Sequence, residues 1–134
     1  MSEKVTIKVE RKTLHLPTIA LRGLVVFPNN LVHFEVGREK SIAAVEWAMA
    51  NNSNVFLVAQ KSMDTTDPAQ ADLFTYGVVA EVKQVLRGSE DLVKVLVEGK
   101  YRAKLTELDA SGDFLLSEVR PAPVRPGKPE EAVE

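Results

Sequence analysis

The chain has no cysteine among its 134 residues, and only 6% of them are aromatic. Without cysteine it has no disulfide, zinc-thiolate centre or thiol nucleophile. No stretch approaches the roughly 20 consecutive apolar residues that a membrane-spanning helix needs. The first residues also lack the apolar run of a signal peptide. These absences predict a cytoplasmic protein with no membrane partner.

An excess of charge of one sign is also missing, because 17 Lys and Arg nearly balance 19 Asp and Glu, giving a formal net charge of -2. Bulk charge therefore does not favour nucleic acid. The best local argument for it is Lys100, Arg102 and Lys104, which alternate along one strand face, with Lys94 expected across a hairpin. No aromatic platform lies among them, since Tyr101 falls on the opposite face. We interpret this stripe as a solvated sheet face and do not expect a nucleic-acid partner.

A convincing catalytic or metal-binding motif is missing as well. Residues 37–41 end like a phosphate-binding loop, but Glu39 stands where that motif requires glycine. Lys40-Ser41 and Lys61-Ser62 do not make a serine-lysine dyad, because adjacent residues on a helix or strand do not face each other. His15 and His33 have no partner ligands at metal-site spacing. We expect no catalytic residue, metal or cofactor in this chain.

What the chain does contain is a series of short apolar stretches, many with the period of two that is typical of strands. One amphipathic helix is predicted from Arg38 to about Asn51, with Ile42, Val45 and Met49 on its apolar face. Gly99-Lys100 is interpreted as a tight turn between two strands. The sequence predicts a mostly β fold with one main helix, built on a partly closed, strongly curved sheet. The predicted strands are Leu14–Val26, Leu31–Val36, Val55–Ala59, Gly77–Leu86, Leu92–Glu98, Tyr101–Leu108 and Phe114–Arg120.

Three regions follow from this pattern. Residues 1–13 form an arm or edge strand, because Val5, Ile7 and Val9 alternate with polar residues. Residues 14–120 form the folded domain. Residues 121–134 are rich in proline and glutamate and are interpreted as a linker. A linker at this place predicts that the chain is a fragment of a longer protein.

Some apolar residues lie away from the predicted core. Trp47 lies off the apolar face of the helix, while Phe27-Pro28 and Leu73-Phe74 stand in or beside loops. Exposed aromatic and apolar side chains of this kind either pack locally or form a contact surface. Local packing is the simpler interpretation for each one. Together they are our candidates for a contact surface.

Five segments, taken in order and spacing, resemble the N-terminal domain of the ATP-dependent Lon proteases. The resemblance covers roughly residues 14–120 and departs from the family at Ala20, where proline is usual. The five segments are Leu21-Arg22-Gly23-Leu24-Val25-Val26-Phe27-Pro28, Val36-Gly37-Arg38-Glu39-Lys40-Ser41, Val58-Ala59-Gln60-Lys61, Asp72-Leu73-Phe74-Thr75-Tyr76-Gly77 and Val93-Lys94-Val95-Leu96-Val97-Glu98-Gly99.

The resemblance implies a PUA-like β-barrel architecture and a non-catalytic role. In this family the N-terminal domain captures unfolded or damaged proteins and helps the homo-oligomeric ring to assemble. The ATPase, with its ATP and Mg, and the Ser-Lys protease lie in later parts of the parent chain. Phe27, Pro28, Trp47, Leu73 and Phe74 then become candidate substrate-binding residues. Two alternatives stay open, namely a stand-alone PUA-like module that binds RNA or protein, and a purely structural assembly domain.

Overall fold

The computed structural model describes residues 13–24, 26–65, 68–88 and 92–122. Within these ranges it confirms the predicted mostly β fold with one main helix. The predicted arm at 1–13 and linker at 121–134 lie almost entirely outside them. The elements are β1 (Leu14–Leu21), β2 (Leu31–Val36), α1 (Glu39–Ala50), β3 (Asn54–Ala59), a 3-10 turn (Gln70–Asp72), β4 (Tyr76–Arg87), β5 (Val93–Asp109) and β6 (Leu115–Pro121).

The strands form one six-stranded sheet in the order β2-β5-β4-β3-β1-β6, and β6 pairs again with β5. This second pairing closes five of the strands into a ring, as the predicted curved sheet required, and leaves β2 outside the ring. Neighbours pair antiparallel except β1 and β3, which run parallel with Leu21 opposite Ala59. Central strand β3 is buried on both faces from Val55 to Val58, in agreement with its continuous apolar sequence.

The predicted turn at Gly99-Lys100 is wrong, because β5 runs through it as one strand of 17 residues. The first half of β5 pairs with β2 and the second half pairs with β6, while β4 pairs with parts of both halves on the other side. Gly99 is buried, and a Cβ there would collide with the carbonyl oxygen of Phe27. Glycine therefore permits the main chain of the Phe27 turn to approach β5 closely. Glycine inside a strand often marks such a close approach, as it can also mark a bulge or a bend.

The predicted apolar face of α1 is partly wrong. Met49 is exposed, while Ser41, Ala44, Val45 and Ala48 are buried against the sheet. Three of these four residues are small, so the helix packs closely on the sheet. The helix begins after Arg38, whose Nη2 donates to the carbonyl oxygen of Ala20 at 2.6 Å. This bond holds the start of α1 against the C-terminal end of β1.

Candidate protein-binding surface

Two loops leave the same end of the sheet. Because β1 and β3 are parallel neighbours, the β1–β2 and β3–β4 loops both begin where Leu21 and Ala59 lie side by side. Each loop carries large apolar side chains with most or half of their area in solvent. Phe27 is 61% exposed, Met63 is 64% exposed and Phe74 is 50% exposed. We call these three side chains the loop surface, in which Phe27 lies in the turn beside Gly99, Met63 beside Gly23 and Phe74 beside Ala59.

Main-chain bonds to β5 fix the position of Phe27. Asn29 donates its N–H to the carbonyl oxygen of Gly99 at 2.9 Å, and Gly99 donates back to Asn30 at 2.9 Å. Asn29 adopts the left-handed conformation, with φ of 69°, which asparagine tolerates better than most residues. Pro28 is half-buried in the same turn. The turn is therefore held to the sheet while the ring of Phe27 stays in solvent.

The β3–β4 loop is also anchored, and its anchor is Leu73. This residue forms an isolated bridge with Gln60 and is only 3% exposed, within a core cluster. The buried Gln60 side chain donates to the carbonyl oxygens of Ser62 and Thr65, both at 2.9 Å. Phe74 follows with its N–H bonded to Ala59. Leu73 thus supports the loop from inside, and Phe74 is the neighbour that faces solvent.

Met63 joins the two loops. Gly23 of the β1–β2 loop has φ of 72°, and a Cβ there would stand 3.3 Å from the Met63 Cε. The sequence prediction missed Met63, because the surrounding loop is polar and without periodicity. The sequence feature that could have identified Met63 is that it is a single large apolar residue within a polar loop.

Trp47 belongs to a different part of the surface. Its ring lies 5.8 Å from that of Phe114, centroid to centroid, with 46° between the planes. Lys40 Nζ also donates to the carbonyl oxygen of Ala110 at 3.1 Å, so the β5–β6 loop is held against α1. Trp47 stays 42% exposed. Its main described contact is therefore local packing against Phe114.

The basic stripe, which we interpreted as a solvated sheet face, has acidic and aromatic partners in the structure. Lys94 lies on β5 together with Lys100, Arg102 and Lys104, and not across a hairpin from them. Lys100 Nζ lies 3.3 Å from Glu81 and 3.4 Å from Glu98. Arg102 stacks over the ring of Tyr76, 4.2 Å from its centroid. The two carboxylates beside Lys100 offset its charge and weaken the uniform positive field that a polyanion requires.

Lys83 completes an ion-pair group around the same two carboxylates, 3.2 Å from each. Its hydrogen bonds, together with those of Lys100, hold the pKa of Glu81 and of Glu98 below the ordinary glutamate value. The hydrogen bonds that Lys83 donates to Glu81, and then to Glu98, raise the pKa of Lys83. Two ammonium groups and two carboxylates therefore lie together, with a formal net charge of zero.

Two kinds of feature are absent from the part of the chain that the structure describes. No group of three or more His, Asp or Glu residues there is arranged to hold a metal ion. His15 Nε2 lies 3.5 Å from Glu118 Oε1 on the neighbouring strand, which makes a single exposed pair. No helix in those ranges is long and apolar enough to cross a membrane.

Comparison with known proteins gives consistent results. Residues 15–134 match the model of the ATP-dependent protease La (LON) substrate-binding domain. The chain is 47% identical over 105 residues to a Lon protease from Vibrio parahaemolyticus, covering 78% of this chain and 13% of that protein. It is 43% identical over 100 residues to a Lon protease from Escherichia coli, covering 75% of this chain and 13% of that protein. The chain thus spans about an eighth of the relatives it matches.

Solved structures show the same fold. The N-terminal domain of Mycobacterium avium complex Lon protease superposes with a TM-score of 0.69 at 21% identity, covering 87% of this chain and 59% of that one. A Lon N-terminal domain protein from Xanthomonas campestris gives a TM-score of 0.62 at 14% identity, covering 90% and 68%. None of these matches favours a stand-alone RNA-binding module.

Proposed function

Because the chain belongs to the family of ATP-dependent protease La (LON) substrate-binding domains, we propose that it captures unfolded or damaged proteins for an ATP-dependent protease. The observation that supports this proposal is the loop surface, where Phe27, Met63 and Phe74 are exposed on anchored loops. Unfolded proteins expose apolar side chains that folded proteins bury. A surface that offers apolar contacts selects for that difference.

The catalytic machinery, in this proposal, lies elsewhere in a longer protein. The relatives are about eight times longer than the matched region. We place an ATPase with its ATP and Mg, and a serine protease, in the remaining part, so the described domain has no activity of its own. We also propose that the parent protein is cytoplasmic and forms a homo-oligomeric ring.

The loop surface suits weak and sequence-tolerant binding. Full burial of one Phe or Met side chain contributes about 1.5–3 kcal/mol, and these three are already partly covered. Much of that gain is offset by the lost freedom of the bound chain. A single domain therefore binds weakly. Several copies in one assembly bind a long unfolded chain far more tightly, because the second contact becomes intramolecular.

We expect the triple variant Phe27→Ser, Met63→Ser and Phe74→Ser to lose affinity for a permanently unfolded protein. The Kd rises about tenfold or more, since most of the apolar contact area disappears. Fluorescence anisotropy of the labelled unfolded protein measures this change, and its folded counterpart is the reference for selectivity.

Leu86→Ser is the matched control. Leu86 is 51% exposed, but it lies ten residues along β4 from Tyr76 at the loop end. It lies six residues from Ala80, the partner of the Gly99 that holds the Phe27 turn, which is about 20 Å along the strand. This variant keeps wild-type affinity if capture is local to the loop surface. An unchanged Kd in the triple variant, or an equal loss in Leu86→Ser, would contradict the proposed site.

A further inference from the structure

Two methionine side chains lie in solvent in the part of the chain that the structure describes. Met63 is 64% exposed in the β3–β4 loop, and Met49 is 44% exposed on α1. Peroxides oxidise thioethers as well as thiols, and the chain has no cysteine that could react first. The sulfur atoms of Met63 and Met49 are therefore the described sites at which a mild oxidant acts.

The surroundings of Met63 leave it open to a small oxidant. Its neighbours Lys61, Ser62 and Asp64 are polar and exposed, and the Asp64 N–H donates to the Ser62 Oγ at 3.2 Å. On one side the thioether lies against Gly23, where a Cβ would stand 3.3 Å from the Met63 Cε and 3.5 Å from its Sδ. Because Gly23 is itself exposed and has no side chain, it covers little of Met63.

The reaction of Met63 with hydrogen peroxide needs no further reactant. A lone pair of the sulfur attacks one peroxide oxygen, so that an S–O bond forms and the O–O bond breaks. The sulfur loses two electrons to the peroxide. The proton of the transferred oxygen moves to the departing hydroxide, which leaves as water. The product is methionine sulfoxide, which is polar and which methionine sulfoxide reductases convert back to methionine.

Oxidation changes what Met63 offers to a bound chain. A flexible thioether adapts its shape to many apolar partners, which is why methionine is common on promiscuous binding surfaces. The sulfoxide oxygen holds water, and burying it against an apolar side chain without a hydrogen bond costs free energy. Met63 then no longer contributes its apolar contact, while Phe27 and Phe74 are chemically unchanged.

We propose that Met63 is a reversible oxidation site that regulates the loop surface. Hydrogen peroxide converts Met63 to its sulfoxide and thereby weakens the capture of unfolded chains. This inference rests on the proposed function, because it concerns one of the same three side chains. Since the other two keep their apolar contacts, capture weakens and does not disappear.

Met49 lies away from this site. The Ser53 N–H bonds to the carbonyl oxygen of Ala48, so the C-terminal end of α1, where Met49 lies, is close to the start of β3. Met63 follows the opposite end of β3, about 17 Å along the strand. Oxidation of Met49 therefore leaves capture unchanged.

Peroxide treatment followed by a binding measurement tests this inference. The 134-residue chain is oxidised with hydrogen peroxide, the peroxide is removed, and peptide mass spectrometry verifies one added oxygen atom at Met63. The Kd for a permanently unfolded protein, measured by fluorescence anisotropy, is expected to rise about threefold. Treatment with both methionine sulfoxide reductases, one for each epimer of the sulfoxide, returns the Kd to its starting value.

Three variants assign the effect to one sulfur atom. Met63→Leu keeps the apolar volume, binds the unfolded protein as the wild type does, and no longer responds to peroxide. Met49→Leu is the matched control and keeps the full response. Met63→Gln introduces a polar side chain of similar length and raises the Kd about threefold without peroxide. Circular dichroism verifies that each variant folds.

The outcomes separate this inference from the proposed function. An untreated chain that does not bind the unfolded protein would overturn the proposed function and this inference with it. An untreated chain that binds, with a Kd that stays the same once Met63 is oxidised, would overturn the inference alone. The inference also fails if Met63 resists peroxide, if Met63→Leu keeps the response, or if Met49→Leu loses it.

Discussion

Replacing Gly99 with alanine is expected to destabilise the protein by about 2–4 kcal/mol, although only one methyl group is added. The new Cβ would collide with the carbonyl oxygen of Phe27 and lie 3.3 Å from the Cα of Pro28. Both atoms belong to the main chain of a turn that Asn29 and Asn30 bond to Gly99. The turn must move away from β5, so strain and the loss of these hydrogen bonds add together. Urea unfolding followed by circular dichroism measures the change.

Gly112→Ala is the matched control for this prediction. A Cβ at Gly112 would meet only the carbonyl oxygen of Phe114 at 3.9 Å, which is ordinary van der Waals contact. This variant is expected to stay within about 0.5 kcal/mol of the wild type, or to gain slightly from a less flexible unfolded chain. A free energy of unfolding for Gly99→Ala that equals that of Gly112→Ala would show that the turn is not held against β5.

Replacing Phe56 with alanine is expected to lower the free energy of unfolding by about 3–5 kcal/mol. Phe56 is fully buried in central strand β3, within the core cluster that also holds Leu73. Its ring fills the space beside Gly77, where a Cβ would stand only 2.8 Å from the Phe56 Cζ. Truncation removes this apolar contact and leaves a cavity. Urea unfolding gives the value.

Phe27→Ala is the matched control, because it deletes the same atoms at an exposed position. The difference between the two variants in the free energy of unfolding therefore reports the burial of the ring. Phe27 is mostly in solvent, so its truncation changes the free energy of unfolding by about 0.5 kcal/mol or less. The two phenylalanines thus have opposite expected roles, one in stability and one in binding. Equal destabilisation by the two variants would mean that the ring of Phe27 is packed, and it would count against the loop surface.

Local pattern was sufficient for most of the fold. The alternation along β2 and the continuous apolar run of β3 are visible in the sequence and agree with the observed burial of the two strands, because each pattern depends on which faces of one strand are covered. The helix was placed within a residue of its observed ends. Its buried face was less predictable. Ala44 and Ala48 are buried because the helix packs closely on the sheet, whereas hydrophobicity alone ranks Met49 above them.

Long-range contacts account for the remaining errors. Gly99 resembles a turn in the sequence, and only the docked turn at Phe27 reveals why a strand needs glycine at that position. Leu73 and Phe74 are equally apolar neighbours, and the bridge from Leu73 to Gln60 places one inside and the other in solvent. The nearness of Met63 to Gly23 likewise depends on the parallel pairing of β1 with β3. No local pattern encodes these contacts.

The central claim is that the loop surface captures unfolded chains, and NMR shift mapping of this protein tests it most directly. A permanently unfolded protein is added to the isotope-labelled chain, and the folded counterpart of that protein is added in a parallel titration. The account predicts amide and methyl shifts concentrated at Phe27, Met63 and Phe74 with the unfolded protein only. Shifts that instead centre on Trp47, or no shifts with the unfolded protein at high micromolar concentration, would contradict it.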